Sequence, residues 1–249
     1  MGLLKDELFA CLDCESTGLN SQNDRIIEIA CVIFTFDRII DTFETLINPE
    51  IPIPEASQKI HNISEQMVRG KPTIEKVLPK LLEFLNHHIV VGHGISFDLD
   101  LIAQAANRYG ICFQKRNSRC IDTLRLARLY GESPINSLEK LRQHFNIAAI
   151  GSHRAMSDVM VNIEVFKYLV KSFKTTEEIM QKLEKPIQLK IMPLGKHKGR
   201  RFEEIPLEYL LWAQKKDFDQ DLLFSIQKEI KSRKSKNNFE QASNPFSSL

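Results

Sequence analysis

The sequence has no run of apolar residues close to the roughly 20 that a membrane-spanning helix requires. Near its start, Asp6 and Glu7 stand where a secretion signal would have a basic residue and then an uninterrupted apolar stretch. A strong excess of one charge is also missing, because the formal net charge is +2 over 249 residues and identifies no partner by itself. From these absences we expect a cytoplasmic protein that does not bind a membrane.

Disulfide bonds are not expected either. The chain has five cysteines, an odd number, and no recognisable secretion signal, which indicates reduced thiols. Cys11 and Cys14 have the spacing of a metal or redox motif, but they belong to an apolar stretch that predicts a strand. Residues three apart in a strand point to opposite faces, so we expect that these two thiols do not share an ion.

The composition is that of a globular protein with one sizeable core and a smaller appendage, since 43% of residues are hydrophobic and 27% charged. The charges are segregated along the chain. Residues 1–174 hold 20 Lys+Arg and 21 Asp+Glu, whereas residues 185–236 hold 13 and 7. We predict a main domain over 1–174, a connector over 175–190, a small basic module over 191–231 and a flexible tail over 232–249.

Hydrophobic spacing predicts the secondary structure of both parts. Strands are expected over 8–15, 26–36, 39–47, 89–91 and near 119–122, and helices over 55–68, 73–86, 96–109, 123–130, 137–145 and 154–173. A strand meander followed by alternating strands and helices indicates an α/β fold with a mixed sheet flanked by helices. A strand-like stretch at 188–192 and two helices at 206–215 and 219–231 predict a small α+β module.

Acidic residues occur at three places where chemistry is expected. Asp13 and Glu15 end the first strand on one face, and a hard divalent ion such as Mg²⁺ would neutralise such a pair. The pair alone does not decide between metal binding and a strand that ends in solvated charges. Asp98 lies on the apolar face of its helix and therefore needs a partner. Asp158 follows five residues after His153, which lies in a glycine-led loop.

Taken together, four carboxylates and a histidine indicate a metal site that activates water. Four carboxylates can hold two divalent ions about 4 Å apart while an imidazole takes a proton from an attacking water. The ordered stretches Leu12-Asp13-Cys14-Glu15-Ser16-Thr17-Gly18-Leu19, Gly92-His93-Gly94 to Phe97-Asp98, and His153-Arg154-Ala155 to Asp158 resemble the motifs of the DEDDh 3′-to-5′ exonuclease superfamily. The resemblance covers about residues 8–172 and implies a ribonuclease H-like fold.

The resemblance also implies roles for individual residues. Asp13, Glu15 and Asp158 would hold one metal ion, Mg²⁺ or Mn²⁺, and Asp13 with Asp98 would help to hold a second. His153 would be the general base. The terminal nucleotide would be received by residues around the first two motifs, namely Ser16, Thr17, Gly18, Leu19, His93 and Phe97.

Two positions depart from the superfamily pattern. Gly94 replaces a common Asn, which removes a side chain that could organise the substrate strand. Asn62 replaces a common Gly after His61, and Asn tolerates a left-handed backbone, so the turn can survive. Neither change touches the acidic set.

The C-terminal module resembles the small unit that follows the nuclease domain in exodeoxyribonuclease X-like proteins. Its glycine-bracketed turn is a candidate phosphate-binding site, whose basic residues are Lys196, His197, Lys198, Arg200 and Arg201. A solvated loop with no ligand is the alternative interpretation of this turn. Tyr209 and Trp212 lie in an apolar helical stripe and are predicted to be core residues, with platforms for base stacking as the alternative.

The resemblance implies a metal-dependent exonuclease that acts on a single-stranded or frayed 3′ end, with DNA favoured, in proofreading or repair. An RNA-trimming enzyme of the RNase T or oligoribonuclease type is the alternative, because no motif here reveals contacts to the 2′-hydroxyl. A proofreading subunit that works mainly when bound to a replicative polymerase is a further alternative. A second copy of the chain is also a candidate partner.

Overall fold

The computed structural model of the protein describes residues 3–113, 119–133, 135–148 and 154–242, with residues 236–242 described by their backbone alone. The chain divides into two compact units between Leu183 and Glu184. Each unit has its own hydrophobic core. None of the described helices is both long and apolar enough to cross a membrane.

The first unit is built on a five-stranded mixed sheet. Its strands are β1 (Phe9–Ser16), β2 (Ile26–Phe34), β3 (Ile39–Leu46), β4 (Ile89–Gly92) and β5 (Cys120–Asp122), in the spatial order β3-β2-β1-β4-β5. β1, β2 and β3 pair antiparallel, as the meander predicted, whereas β4 pairs parallel with β1 and β5 parallel with β4. The predicted mixed sheet is confirmed.

Helices cover both faces of this sheet. In chain order they are α1 (Glu55–His61), α2 (Glu65–Val68), α3 (Ile74–Leu85), α4 (Ser96–Arg108), α5 (Thr123–Tyr130), α6 (Leu138–His144), α7 (Ala155–Leu169) and α8 (Thr176–Leu183). The single helix predicted over 55–68 is two helices, because Asn62 takes a left-handed conformation with φ of 57° and ends α1. Asn62 thus makes the turn that the sequence predicted it would tolerate.

The two faces of β1 enter different cores. Phe9 and Cys11 pack in a core with α5, α7 and α8, whereas Leu12 and Cys14 pack in a core with α3 and α4. Cys11 and Cys14 therefore point to opposite faces, as predicted, and all five cysteines are free thiols. Helix α8 lies in the stretch predicted to be a connector, and its Ile179 joins the first of these cores.

The second unit is mainly helical. It contains α9 (Leu207–Ala213) and α10 (Gln220–Ala242), which pack together around a small core. The strand predicted at 188–192 was wrong: the described residues of this unit form only an isolated bridge between Ile191 and Arg201. Helix α10 continues to Ala242, into the stretch for which a flexible tail was predicted.

Candidate active site

Three carboxylates converge where β1 ends. Asp13 and Glu15 alternate with Cys11 on the face of β1 that packs against α7, and Asp158 lies in the first turn of α7. Asp13, Glu15 and Asp158 each offer an oxygen, and these atoms lie within 4.8 Å of one another. The structure therefore brings together residues that are more than 140 positions apart in the sequence.

Asp98 reaches the same end of β1 from the other face of the sheet. Its carboxylate is buried on α4, and its Oδ1 accepts a hydrogen bond of 2.9 Å from the backbone N–H of Cys14, the residue between Asp13 and Glu15. Burial raises the pKa of Asp98 from 3.8 to about 7. Asp98 thus lies beside the group of three, joined to it through the strand backbone.

The carboxylates of this site raise one another's pKa. Burial holds the pKa of Asp13 well above its usual range, and Asp98 is the strongest of the negative charges that raise it further. Burial also raises the pKa of Glu15 from 4.5 to about 7, with a contribution from Asp158. Oxygen donors of one charge sign that converge on a small volume fit a hard divalent cation, which would neutralise them.

A buried ion pair that we did not anticipate holds the start of α7. Glu28 is fully buried on β2, and its two carboxylate oxygens each accept a bond of 3.0 Å from Nε of Arg154. The same carboxylate accepts a hydrogen bond of 3.1 Å from the backbone N–H of Ala155. Glu28 is also the register partner of Glu15. The signal was available, since Glu28 is the one charged residue in an otherwise apolar strand.

A second polar network fixes α7 one turn further along. The hydroxyl of Thr123 lies 2.6 Å from Oδ1 of Asn162, and Nδ2 of Asn162 donates to the sulfur of Cys11 at 3.6 Å. Thr123 and Asn162 are buried. Asn162 lies four residues after Asp158, and Cys11 two residues before Asp13, so this network sets the register of the two carboxylates. Asn162 carried no recognisable sequence signal.

The loop after β1 is organised by one carboxylate. Asp24 accepts hydrogen bonds of 2.8 Å from the hydroxyl of Thr17 and from the backbone N–H of Asn20. A Cβ on Gly18 would lie 2.6 Å from this carboxylate, so glycine is required by the close approach. Ser16 donates to the carbonyl of Gly18 at 2.7 Å. The side chain of Leu19, 91% exposed, projects from this braced loop.

His93 follows β4 and is held on both sides. Its Nδ1 lies 3.0 Å from the hydroxyl of Thr123 and its Nε2 2.9 Å from the carbonyl of Asn136. Burial lowers the pKa of His93 to about 4, so the ring is neutral at pH 7. Both ring nitrogens have hydrogen-bond partners within the protein, which favours a structural role for His93 over the substrate contact that we predicted.

The other residues predicted for the site do not belong to the three converging carboxylates. Phe97 is half-buried beside the core that contains α4. His153 lies outside the described residues. Lys196, Lys198, Arg200 and Arg201 belong to the second unit, where all four are exposed.

A residue adjacent to the predicted site also contributes to the geometry. The carboxylate of Asp122, at the end of β5, accepts hydrogen bonds from the backbone N–H groups of Leu124 and Gly94, at 2.9 and 3.0 Å. Asp122 therefore caps α5 and ties it to the loop that precedes α4. Gly94 adopts a φ of 74°, a left-handed conformation that glycine reaches without strain.

Comparison with known families gives two matches. The RNase_T family, described as exonuclease, matches residues 10–166. A family described as "Putative quorum-sensing-regulated virulence factor" matches residues 180–232. The first match covers more than half of the chain, and the second covers most of the described part of the second unit.

Individual relatives agree with the first match. The DNA polymerase III subunit epsilon of Aquifex aeolicus is 35% identical over 164 residues, which are 66% of this chain and 80% of that protein. A DNA polymerase III PolC-type of Caldanaerobacter subterraneus is 37% identical over 193 residues, which are 75% of this chain but 14% of that protein. This chain thus spans only a small part of the PolC-type relatives.

A solved structure, exonuclease X in complex with 5′ overhanging duplex DNA, superposes with a TM-score of 0.56 and 26% identity. The superposition covers 70% of this chain and 98% of that chain. The expected ribonuclease H-like fold and the expected exonuclease family are confirmed. This chain belongs to the RNase_T exonuclease family.

Proposed function

We propose that this chain is a divalent-metal-dependent 3′-to-5′ exonuclease that releases nucleoside 5′-monophosphates from a single-stranded or frayed DNA end. The observation that carries the proposal is the convergence of carboxylate oxygens from Asp13, Glu15 and Asp158 within 4.8 Å. These three residues would hold one divalent ion, and Asp98 with Asp13 would hold a second. Mg²⁺ and Mn²⁺ both suit an all-oxygen ligand set.

Different residues of the chain would have different roles in hydrolysis. Water attacks the terminal phosphodiester, and the 3′-oxygen of the preceding nucleotide leaves. Divalent ions, if held by the carboxylates as proposed, would supply charge neutralisation at the phosphate and activation of water. His153, immediately before Arg154 in the sequence, would take the proton from the attacking water, as in the superfamily that the motifs resemble.

Substrate positioning would fall to the loop after β1. Leu19 is exposed and apolar, and its loop is braced by the hydrogen bonds of Thr17 and Asp24, so it offers a fixed apolar surface to a terminal base. Phe97 would contribute a second apolar surface. An exposed leucine on a rigid loop has no packing role within its own unit, which supports a contact with substrate.

DNA is favoured over RNA because the exonuclease X structure is a complex with DNA, and because similar proteins include DNA polymerase III subunits.

A replicative polymerase is the expected protein partner, because similar proteins include DNA polymerase III subunits. Affinity capture with the tagged chain, followed by mass spectrometry, tests for a polymerase. Light scattering tests for the homodimer that the sequence left open.

The decisive assay uses a 5′-labelled single-stranded DNA with Mg²⁺ and the full chain. We expect a ladder that shortens from the 3′ end, no shortening with EDTA, and none with Asp13→Asn. Asp37→Asn, in the exposed turn between β2 and β3, is the matched control and should retain full activity. An Asp13→Asn variant as active as the unchanged protein would falsify the proposal. RNA of the same sequence, assayed in parallel, decides between DNA and RNA as the substrate.

A further inference from the structure

The second unit carries a continuous row of aromatic rings and cations. The ammonium of Lys216 lies 4.8 Å from the ring centroid of Trp212, and this ring lies 5.3 Å from that of Tyr209. Tyr209 in turn lies 4.5 Å from the ring of His197, whose Nδ1 is 3.4 Å from the guanidinium of Arg200. The row therefore has a cation at each end and three rings between them. We call it the aromatic-basic row.

The row faces solvent at Trp212, where stacking would occur, whereas the ring of His197 is buried and does not offer the phosphate contact that the sequence suggested. Trp212 is 51% exposed, whereas Leu210 and Ala213 of the same helix are buried against α10. Our prediction that Trp212 is a core residue was therefore wrong, because positions 210 and 213 already fill the buried face of this short helix. Lys216 and Arg200 are exposed, and Tyr209 is half-buried. The core of the second unit is packed without the indole of Trp212, so the exposed ring is available for binding.

The basic turn is held against this row. Gly195 has a φ of 73°, and a Cβ there would lie 2.8 Å from the Tyr209 hydroxyl, so the turn approaches the ring closely. The backbone N–H of Met192 donates to the carbonyl of Arg200, and that of Gly199 donates to the carbonyl of Met192, each at 2.8 Å. These bonds close the turn and keep its exposed lysines, Lys196 and Lys198, at the Tyr209 end of the row.

Charge and ring together indicate the class of ligand. Residues 185–236 hold 13 Lys+Arg against 7 Asp+Glu, which favours a polyanion. An exposed indole beside cations is the combination that binds single strands, because unpaired bases stack on rings while phosphates meet the cations. Duplex DNA would offer the phosphates but hide the faces of its bases.

We propose that the aromatic-basic row binds single-stranded nucleic acid, with a base stacked on Trp212 and phosphates bound by Lys216, Arg200 and the basic turn. This binding does not depend on hydrolysis by the first unit. It gives the second unit a function of its own.

The test uses the fluorescence of the full chain in EDTA, because Trp212 is the only tryptophan. Titration with an oligo-dT or an oligo-rU should quench this fluorescence saturably, and more weakly as salt increases. Quenching by both strands, or by DNA more than by RNA, supports the proposal. Unchanged tryptophan fluorescence while a labelled oligonucleotide is saturated with protein would overturn it. Equal quenching by a blunt duplex of the same length would contradict the stacking of bases.

Variants give an independent measurement by fluorescence anisotropy of a labelled oligo-dT. Trp212→Leu should weaken binding roughly 5- to 150-fold, since stacking of one base on an aromatic side chain contributes about 1–3 kcal/mol. Tyr168→Leu is the matched control, because its exposed ring also carries a lysine, Lys171, at 3.6 Å, but lies in the first unit. Circular dichroism confirms that both variants fold. Equal affinity of Trp212→Leu and the unchanged protein would refute the proposal, whatever the nuclease assay shows.

Discussion

Arg154 binds the fully buried carboxylate of Glu28, and Glu28 pairs in register with Glu15 across β1 and β2. The first helical turn of α7 is thereby attached to the sheet beside the acidic group. Because Asp158 lies in that turn, the ion pair determines where Asp158 meets Asp13 and Glu15. Arg154 and Glu28 are positioning residues, since neither belongs to the group of three carboxylates that converge.

Replacing Arg154 by Met should destabilise the protein by about 2–4 kcal/mol, because it leaves a buried carboxylate without its partner. This range allows for the exposed third of the Arg154 side chain. Urea denaturation measures the loss. Lys59→Met, at an exposed pair with Glu55 on α1, is the control and should have little effect. The double variant Arg154→Met/Glu28→Gln should recover part of the stability, and a lack of recovery would contradict the pairing.

Asp98→Asn should make the metal-free protein more stable and less active. The substitution removes a buried carboxyl group whose pKa is raised to about 7, and with it a negative charge at pH 8. The amide oxygen of Asn can still accept the hydrogen bond from the backbone N–H of Cys14. We expect Tm in EDTA at pH 8 to rise by about 3–6 °C. Exonuclease activity with Mg²⁺ should fall at least about a hundredfold. A variant with lower Tm and full activity would contradict both roles.

The stability of the metal-free protein should depend on pH through Glu15 and Asp98. Their folded pKa values of about 7 lie above the ordinary values of 4.5 and 3.8, so between about pH 4.5 and 7 the folded state keeps protons that the unfolded chain releases. The free energy of unfolding therefore falls as the pH rises through this window. Below the window both states are protonated, and the two carboxyl groups do not destabilise the folded state.

The measurement is Tm by scanning fluorimetry from pH 4.5 to 8, with EDTA and with Mg²⁺. Mg²⁺ should raise Tm more at pH 8 than at pH 5, because it binds carboxylates that have lost their protons. The double variant Glu15→Gln/Asp98→Asn should show a flatter pH profile and little response to Mg²⁺. A Mg²⁺ response that is the same at both pH values would contradict the assignment.

Gly18→Ala should impair substrate binding more than folding. The added methyl group would meet the Asp24 carboxylate, which is fixed by its bonds from Thr17 and Asn20 and cannot simply move away. The loop that carries Leu19 must then shift, so we expect KM for oligonucleotides to rise several-fold with a smaller change in kcat. Gly70→Ala is the control: a Cβ there meets no atom within 4 Å, and only its positive φ is strained. It should lower stability without changing KM.

The sequence alone was sufficient to predict the sheet, most helices and the acidic residues of the candidate site. The period-two alternation of β1 placed Asp13 and Glu15 on one face, and the local pattern of α4 placed Asp98 on its buried side. These predictions depend only on neighbours in sequence, which is why they could be made. The left-handed turn at Asn62 followed from the superfamily pattern, which often has Gly there, and from the tolerance of Asn for that backbone.

Only the tertiary structure decided which distant residues meet. The pairing of Glu28 with Arg154 and the network from Thr123 through Asn162 join elements more than 35 residues apart, and no periodicity encodes such partners. Trp212 shows the same limit in reverse: its apolar neighbours predicted a buried stripe, but α10 covers one side of α9 and leaves the indole in solvent. Local pattern determines which face a side chain takes, whereas packing against other elements determines what that face meets.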